Sequence, residues 1–158
     1  MSANDSEPEK LLARGELVNS RQFSVPPASV FAAFADPAVL AAWWGPTGFT
    51  NTFHRFEFRP GGAWRFTMRA PDGAAYEMDH EFLDIVPALR IGLRHHQPGH
   101  DFTLSVTFES HGAGTRLTWR MRFDDPGEGE RLRAFLVPAN EQNLDRLAAC
   151  LGEPPSSS

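Results

Sequence analysis

The spacing of apolar residues along the chain alternates between a period of two and a helical period. Residues 16–25, ELVNSRQFSV, predict a first strand, ended at Pro26 and Pro27 by two fixed φ angles and two missing donors. Val30, Phe31 and Phe34 then recur at helical spacing. Asp36 followed by Pro37 has the form of an N-cap with proline at the first helical position, so AVLAAWW predicts a second short helix. From Phe49 the period falls to two. His54, Phe56 and Phe58 share one strand face and Arg55, Glu57 and Arg59 the other, and after Pro60–Gly62 the residues Trp64, Phe66 and Met68 oppose Arg65, Thr67 and Arg69. Pro71-Asp72-Gly73 is a hairpin signal, followed by the strand YEMDHEFLDIV. Three more strands carry Leu89, Ile91, Leu93 and His95, then Phe102 to Phe108, then Leu117 to Phe123 in alternation. Over residues 129–151 the helical period returns through Leu132, Phe135, Leu136, Ala139, Asn143, Leu147, Cys150 and Leu151. Pro138 inside that run predicts a kink or short break near Phe135.

A sheet with one apolar face must cover it, and the only long amphipathic element is the C-terminal helix. The pattern therefore predicts an α+β domain: a curved antiparallel sheet of six or seven strands wrapped around that helix, with two short helices between strands 1 and 2. One such domain should run from Gly15 to Leu151, while residues 1–14 and 152–158 have the proline, serine and acidic content of disordered tails. The Arg65, Arg69, Arg116, Arg120 and Arg122 ladders fit a solvated outer face.

Charge and composition remove several function classes. The net charge of −5 and the scattering of the arginines argue against nucleic acid, which calls for a basic face. No apolar run approaches the roughly 20 residues of a membrane span and the N-terminus has no hydrophobic signal core, so a cytoplasmic location is expected. The lone Cys150 sits at an apolar helical position and reads as a small core residue without thiol chemistry.

The runs RQFSVPPASVFAAFADPAVLAAWWGPTGFT, RPGGAWRFTMRAPDGAAY, FLDIVPALRI and NLDRLAACL, in that order, resemble the START-like (SRPBCC) superfamily and within it the family named for activators of the ATPase of heat-shock protein 90. The resemblance spans Gly15 to Leu151 and implies the helix-grip fold, with an elongated cavity between sheet and long helix. It also implies that the second short helix lies near the cavity mouth, so that Trp43 or Trp44 walls the mouth while the other packs in the core. Adjacent helical residues point about 100° apart, so one buried face cannot easily hold both rings. The family's name adds a chaperone contact and a stress-response role as implied partners.

If the dry face lines a cavity, the informative residues are the polar ones on it. Alternation places His54 and His95 there. The strand YEMDHEFLDIV is open: counting from LDIV puts Glu81, Leu83 and Ile85 inward, counting from Met78 puts His80 and Phe82 inward, and a bulge would reconcile them. Asn140 and Asn143 fall close to the helix stripe. The candidate ligand-binding set is Trp43, Trp44, His54, Phe56, Trp64, Phe66, Met68, Glu81, His95, Trp119 and Asn143, for a small apolar or amphipathic molecule. No catalytic set, phosphate loop or dinucleotide motif is present, and no cofactor is expected. No metal is expected either, because His95 and His96 point to opposite strand faces. A binding protein is therefore the first expectation. The alternatives are a cyclase- or hydratase-like enzyme with His54 or Glu81 as general base, and a chaperone co-factor. A homodimer stays open.

Overall fold

Both Asp-Pro steps of the chain start a helix. Asp36 accepts from the Ala38 N–H at 3.0 Å and Asp125 from the Gly127 N–H at 2.9 Å, with Pro37 and Pro126 at the first helical positions. The second of these starts the long helix ahead of the expected residue 129. A computed structural model describes residues 15–153. Residues 1–14 and, of the expected 152–158 tail, residues 154–158 lie outside the described residues.

The elements in order are β1 (Glu16–Phe23), α1 (Pro27–Ala35), α2 (Pro37–Trp43), β2 (Thr50–Phe56), β3 (Ala63–Arg69), β4 (Ala75–Val86), β5 (Arg90–His95), β6 (Phe102–His111), β7 (Gly114–Phe123) and α3 (Pro126–Cys150). The seven strands form one antiparallel sheet in the order β1-β7-β6-β5-β4-β3-β2, a six-strand meander with β1 added beside β7. With two short helices after β1 and a long one at the end, this is the helix-grip arrangement. α3 continues through Pro138 without a break. Its 25 residues reach about 37 Å, enough to cross the whole sheet. β1 holds one flank of α3: Gly15 N–H donates to Glu130 at 2.8 Å, Asn19 to Glu141 at 2.7 Å, and Arg21 meets Glu141 and Asp145. Beyond the helix, Glu153 accepts from the Ser24 backbone and hydroxyl, which ties the first residues of the expected C-terminal tail to the end of β1.

Two β-bulges change which residues face inward. In β2 the pairing skips from Phe53–Phe66 to Arg55–Arg65, so Phe53 and Phe56 both turn inward and His54 is the extra residue on the outer face. In β4 the pairing skips from Phe82–Leu93 to Asp84–Gly92. Met78, His80 and Phe82 therefore face inward, and Glu81 faces outward. Cys150, expected in the core, is exposed, because the last turn of α3 buries Leu147 and Ala148 instead.

The core between sheet and the two short helices is solid. Trp43 is 1% exposed, its indole N–H donates to Ala33 O at 2.9 Å, and its ring lies 4.8 Å from that of Phe34. The Phe34 ring is in turn 5.4 Å from that of Phe108, and a void of only about 10 Å³ is left among Phe34, Leu40, Trp44, Trp64 and Phe82.

Candidate functional site

The other half of the space, between the sheet and α3, is hollow. A cavity of about 550 Å³ lies there, within the range of small-molecule sites. Its floor is Leu93, Phe102, Leu104, Trp119, Met121 and Phe123 from the sheet, and its roof is Leu132, Phe135, Leu136 and Ala139 from α3. Trp44, Gly45, Pro46, Phe49 and Met68 close one side. The rim reaches solvent, since Phe135 and Tyr76 line the cavity and are 70% and 50% exposed.

Trp44 is the partition between the solid and hollow halves. It is 6% exposed, with its ring 4.9 Å from that of Trp64 on the solid side and 5.3 Å from that of Trp119 in the cavity floor. α3 fixes its position by side chains that bond the backbone after α2. Arg146 Nη1 donates to the carbonyls of Trp44, Gly45 and Pro46 at 3.0, 3.0 and 2.9 Å, and Nη2 to Ala42 O at 2.9 Å. Asn143 Oδ1 accepts from Gly45 N–H at 3.0 Å and Gln142 from Thr47 N–H at 3.2 Å. From β2, Asn51 donates to the carbonyls of Ala41 and Trp44. The carbonyls of Ala41 and Ala42 in the last turn of α2, which the helix leaves without intrahelical donors, are thus satisfied by Asn51 and Arg146.

The polar groups in the cavity form three clusters. On the sheet, His80 and His95 face each other across β4 and β5 with Nε2 of His80 3.1 Å from Nδ1 of His95, and His95 Nε2 lies 3.0 Å from Gln97 Oε1. The Gln97 side-chain carbonyl accepts from the His95 Nε2–H, so His95 Nδ1 accepts and His80 donates through Nε2. His80 Nδ1 is then a bare acceptor, sealed from solvent and without a partner. Burial holds His80 well below its ordinary pKa, with His95 and His96 acting in the same direction. Burial also lowers His95, against its bond to Gln97 and the charge of Asp101. Both rings are neutral at neutral pH. At the start of α3, Glu128 contacts His100 Nδ1, and its Oε1 is sealed without a partner. Further along α3, Asn140 and Asn143 line the wall. No arginine or lysine lines the cavity among the described residues.

The structure therefore brings together Trp44, Met68, His95, Trp119 and Asn143 from the expected set. It places the other six elsewhere. Trp43, Trp64 and Phe66 are buried in the solid half, and Phe56 packs at 5.9 Å on Trp64. His54 bonds Thr67 Oγ1 at 2.7 Å on the outer face, and Glu81 meets His96 there at 3.1 Å. His54 and Glu81, the expected general bases, therefore stand outside the cavity between sheet and α3. His80, Asn140, His100 and Glu128 join the cavity without having been in the set. The signal for Asn140 was its place one helical turn before Asn143, and for His80 its alternation with Met78 and Phe82. Among the described residues, no group of three or more His, Cys, Asp or Glu side chains could hold a metal ion, and no helix is long and apolar enough to cross a membrane.

Solved structures share this architecture. A protein from Chromobacterium violaceum is 27% identical over 90% of this chain and 99% of its own, with a TM-score of 0.74. One from Nitrosomonas europaea is 20% identical over 90% and 97%, with a TM-score of 0.82, and an AHSA1 protein from Silicibacter pomeroyi is 24% identical over 87% and 97%, with a TM-score of 0.72. No curated protein matches the chain. The model of the family described as activator of Hsp90 ATPase homolog 1-like protein matches residues 24–152, from the end of β1 to just past α3, and the chain belongs to that family.

Proposed function

We propose that the protein binds a small, mainly apolar molecule in the cavity between the sheet and α3. The observation that carries this is the contrast between the two halves of one interior: a void of about 10 Å³ on one side of Trp44 and a cavity of about 550 Å³ on the other. Interiors are close-packed, and an apolar wall of this extent facing water is unfavourable, so an apolar occupant that displaces the water recovers dispersion and hydrophobic energy together. The lining supports an uncharged ligand. Among the described residues it offers no arginine or lysine to a carboxylate, and it contains the carboxyl of Glu128. The family's fold is shared by ligand-holding domains, which agrees with a binding role and leaves the ligand to this chain's own lining.

The test is native mass spectrometry of the purified protein after gentle desalting, followed by titration with uncharged alicyclic, phenolic and fatty-acyl compounds while tryptophan emission is followed. A bound mass, or an emission change in wild type that is lost in Trp44→Phe, supports binding. If the protein carries no extra mass and no compound alters the emission, ligand binding is wrong. A surface role, with Phe135 at the exposed rim as the contact for a chaperone, then becomes the better account.

A further inference from the structure

α3 supplies the cavity with one polar pair that is neither bonded nor sealed. Asn143 commits Oδ1 to the Gly45 N–H at 3.0 Å, which fixes the orientation of its amide and leaves Nδ2, a donor, unused. Asn140 is oriented by a different network. Asn19 Nδ2 donates to Val137 O at 3.1 Å and to Glu141 Oε2 at 2.7 Å, so Asn19 Oδ1 must accept, and it takes Asn140 Nδ2 at 3.2 Å. The same Nδ2 lies 3.3 Å from Met121 Sδ. Asn140 Oδ1, an acceptor, is left over. Neither leftover atom has a partner among the described residues, and neither is sealed, whereas His80 Nδ1, Trp119 Nε1 and Glu128 Oε1 are. Both asparagines line the cavity and are more than nine-tenths buried. Residues three apart on a helix are neighbours on one face, so the donor and acceptor stand side by side on an otherwise apolar wall.

We infer that Asn140 and Asn143 form a subsite for an uncharged carboxamide or lactam group, carried on an apolar body that fills the rest of the cavity. The inference rests on the cavity being a ligand site. The ligand carbonyl accepts from Asn143 Nδ2 and its N–H donates to Asn140 Oδ1. An ester accepts only, so it strips water from Asn140 Oδ1 and gives nothing back. A carboxylate sets negative charge against the same oxygen, with no arginine or lysine among the described lining residues to offset it. An amine donates only and strands Asn143 Nδ2.

The experiment compares four probes on one apolar body: 1-adamantanecarboxamide, methyl 1-adamantanecarboxylate, 1-adamantanecarboxylate and 1-aminoadamantane. They are titrated into the full chain by tryptophan fluorescence, with calorimetry as a second readout. Wild type should bind the carboxamide about tenfold more tightly than the ester, the size of one net hydrogen bond, and the carboxylate most weakly. Asn143→Asp keeps an oxygen for the Gly45 N–H but replaces the donor by a second acceptor. It should weaken the ester, which relies on Asn143 Nδ2 alone, by about tenfold, keep the preference for carboxamide that Asn140 Oδ1 sets, and gain affinity for the amine. Equal affinities for carboxamide and ester in wild type, or an undiminished ester affinity in Asn143→Asp, would overturn the subsite while leaving cavity binding intact. The wild-type comparison stands even if the variant folds poorly. If none of the four probes binds, the cavity reading falls and the subsite with it.

Discussion

Lowering the pH from 7 to 5.5 should destabilise the protein by about 1 kcal/mol through His80 alone. In the unfolded chain this imidazole has an ordinary pKa of about 6.5 and takes up about two-thirds of a proton across that window. In the folded protein it is held neutral well below that value by burial, with the charges of His95 and His96 opposing protonation further. The folded pKa is depressed, so the unfolded state binds more protons and stability falls as the pH falls through the unfolded value. Integrating one such group from pH 7 to 5.5 gives about 1.2 kcal/mol. His95 is also lowered and adds in the same direction, although Gln97 and Asp101 favour its proton. Glu57 and Asp124 are lowered by their bonds to Ala63 N–H and Arg94 respectively, so the stability they lend is lost only nearer the ordinary carboxylate range. Urea melts followed by far-ultraviolet circular dichroism at pH 7.0 and 5.5, on wild type and His80→Leu, isolate the contribution. The pH response of the variant should be smaller by about 1 kcal/mol. At pH 7 the variant should lie within about 1 kcal/mol of wild type, because a sealed, unpartnered Nδ1 disappears along with the bond to His95. A wild type equally stable at both pH values, or a variant with the full wild-type drop, would refute the neutral buried pair.

Arg146→Met should cost about 2–3 kcal/mol, since it keeps the apolar stem but removes the donors to four carbonyls around the end of α2. It should also shift tryptophan emission to the red as the Trp44 wall loosens; unchanged stability and emission would show that water replaces the guanidinium without loss. Trp119→Ala should cost roughly 3–5 kcal/mol in denaturant melts. Trp119→Phe should cost less than about 1.5 kcal/mol, because the lost indole N–H has no partner; a larger loss would mean that this N–H is bonded.

The architecture was legible because each element carries its own periodicity and punctuation. Asp36-Pro37 announced α2, Pro71-Asp72-Gly73 the β3–β4 hairpin, and the alternation of Leu117, Trp119, Met121 and Phe123 the inward face of β7. The errors fell where a strand inserts one residue, since a bulge moves every later side chain to the opposite face. Both bulges left a trace. Phe53 and Phe56 cannot both point inward from a regular β2, and their shared burial requires His54 as the extra residue. In β5, Gly92 is the position where a Cβ would stand 2.2 Å from Asp84 Oδ1, so the glycine makes room for the bulged side of β4. Asn140 was visible only as half of an amide pair, and its free oxygen depends on Asn19, 121 residues away.

What no local pattern could supply is the boundary between filled and empty interior. Trp43 and Trp44 differ by one residue and about 100° of helix, and that difference sends one ring into the solid half and turns the other into the cavity wall. The rotation places the two rings apart but does not decide how far the second stands from the sheet. That distance is set by Arg146, Asn143 and Gln142, which hold the backbone of residues 42–47 from about 100 positions further along the chain. The same helix carries the roof of the cavity and its free amide pair. A shift of α3 along the sheet would therefore move wall, roof and polar subsite together, so the size and chemistry of the site are properties of one helix position rather than of separate residues.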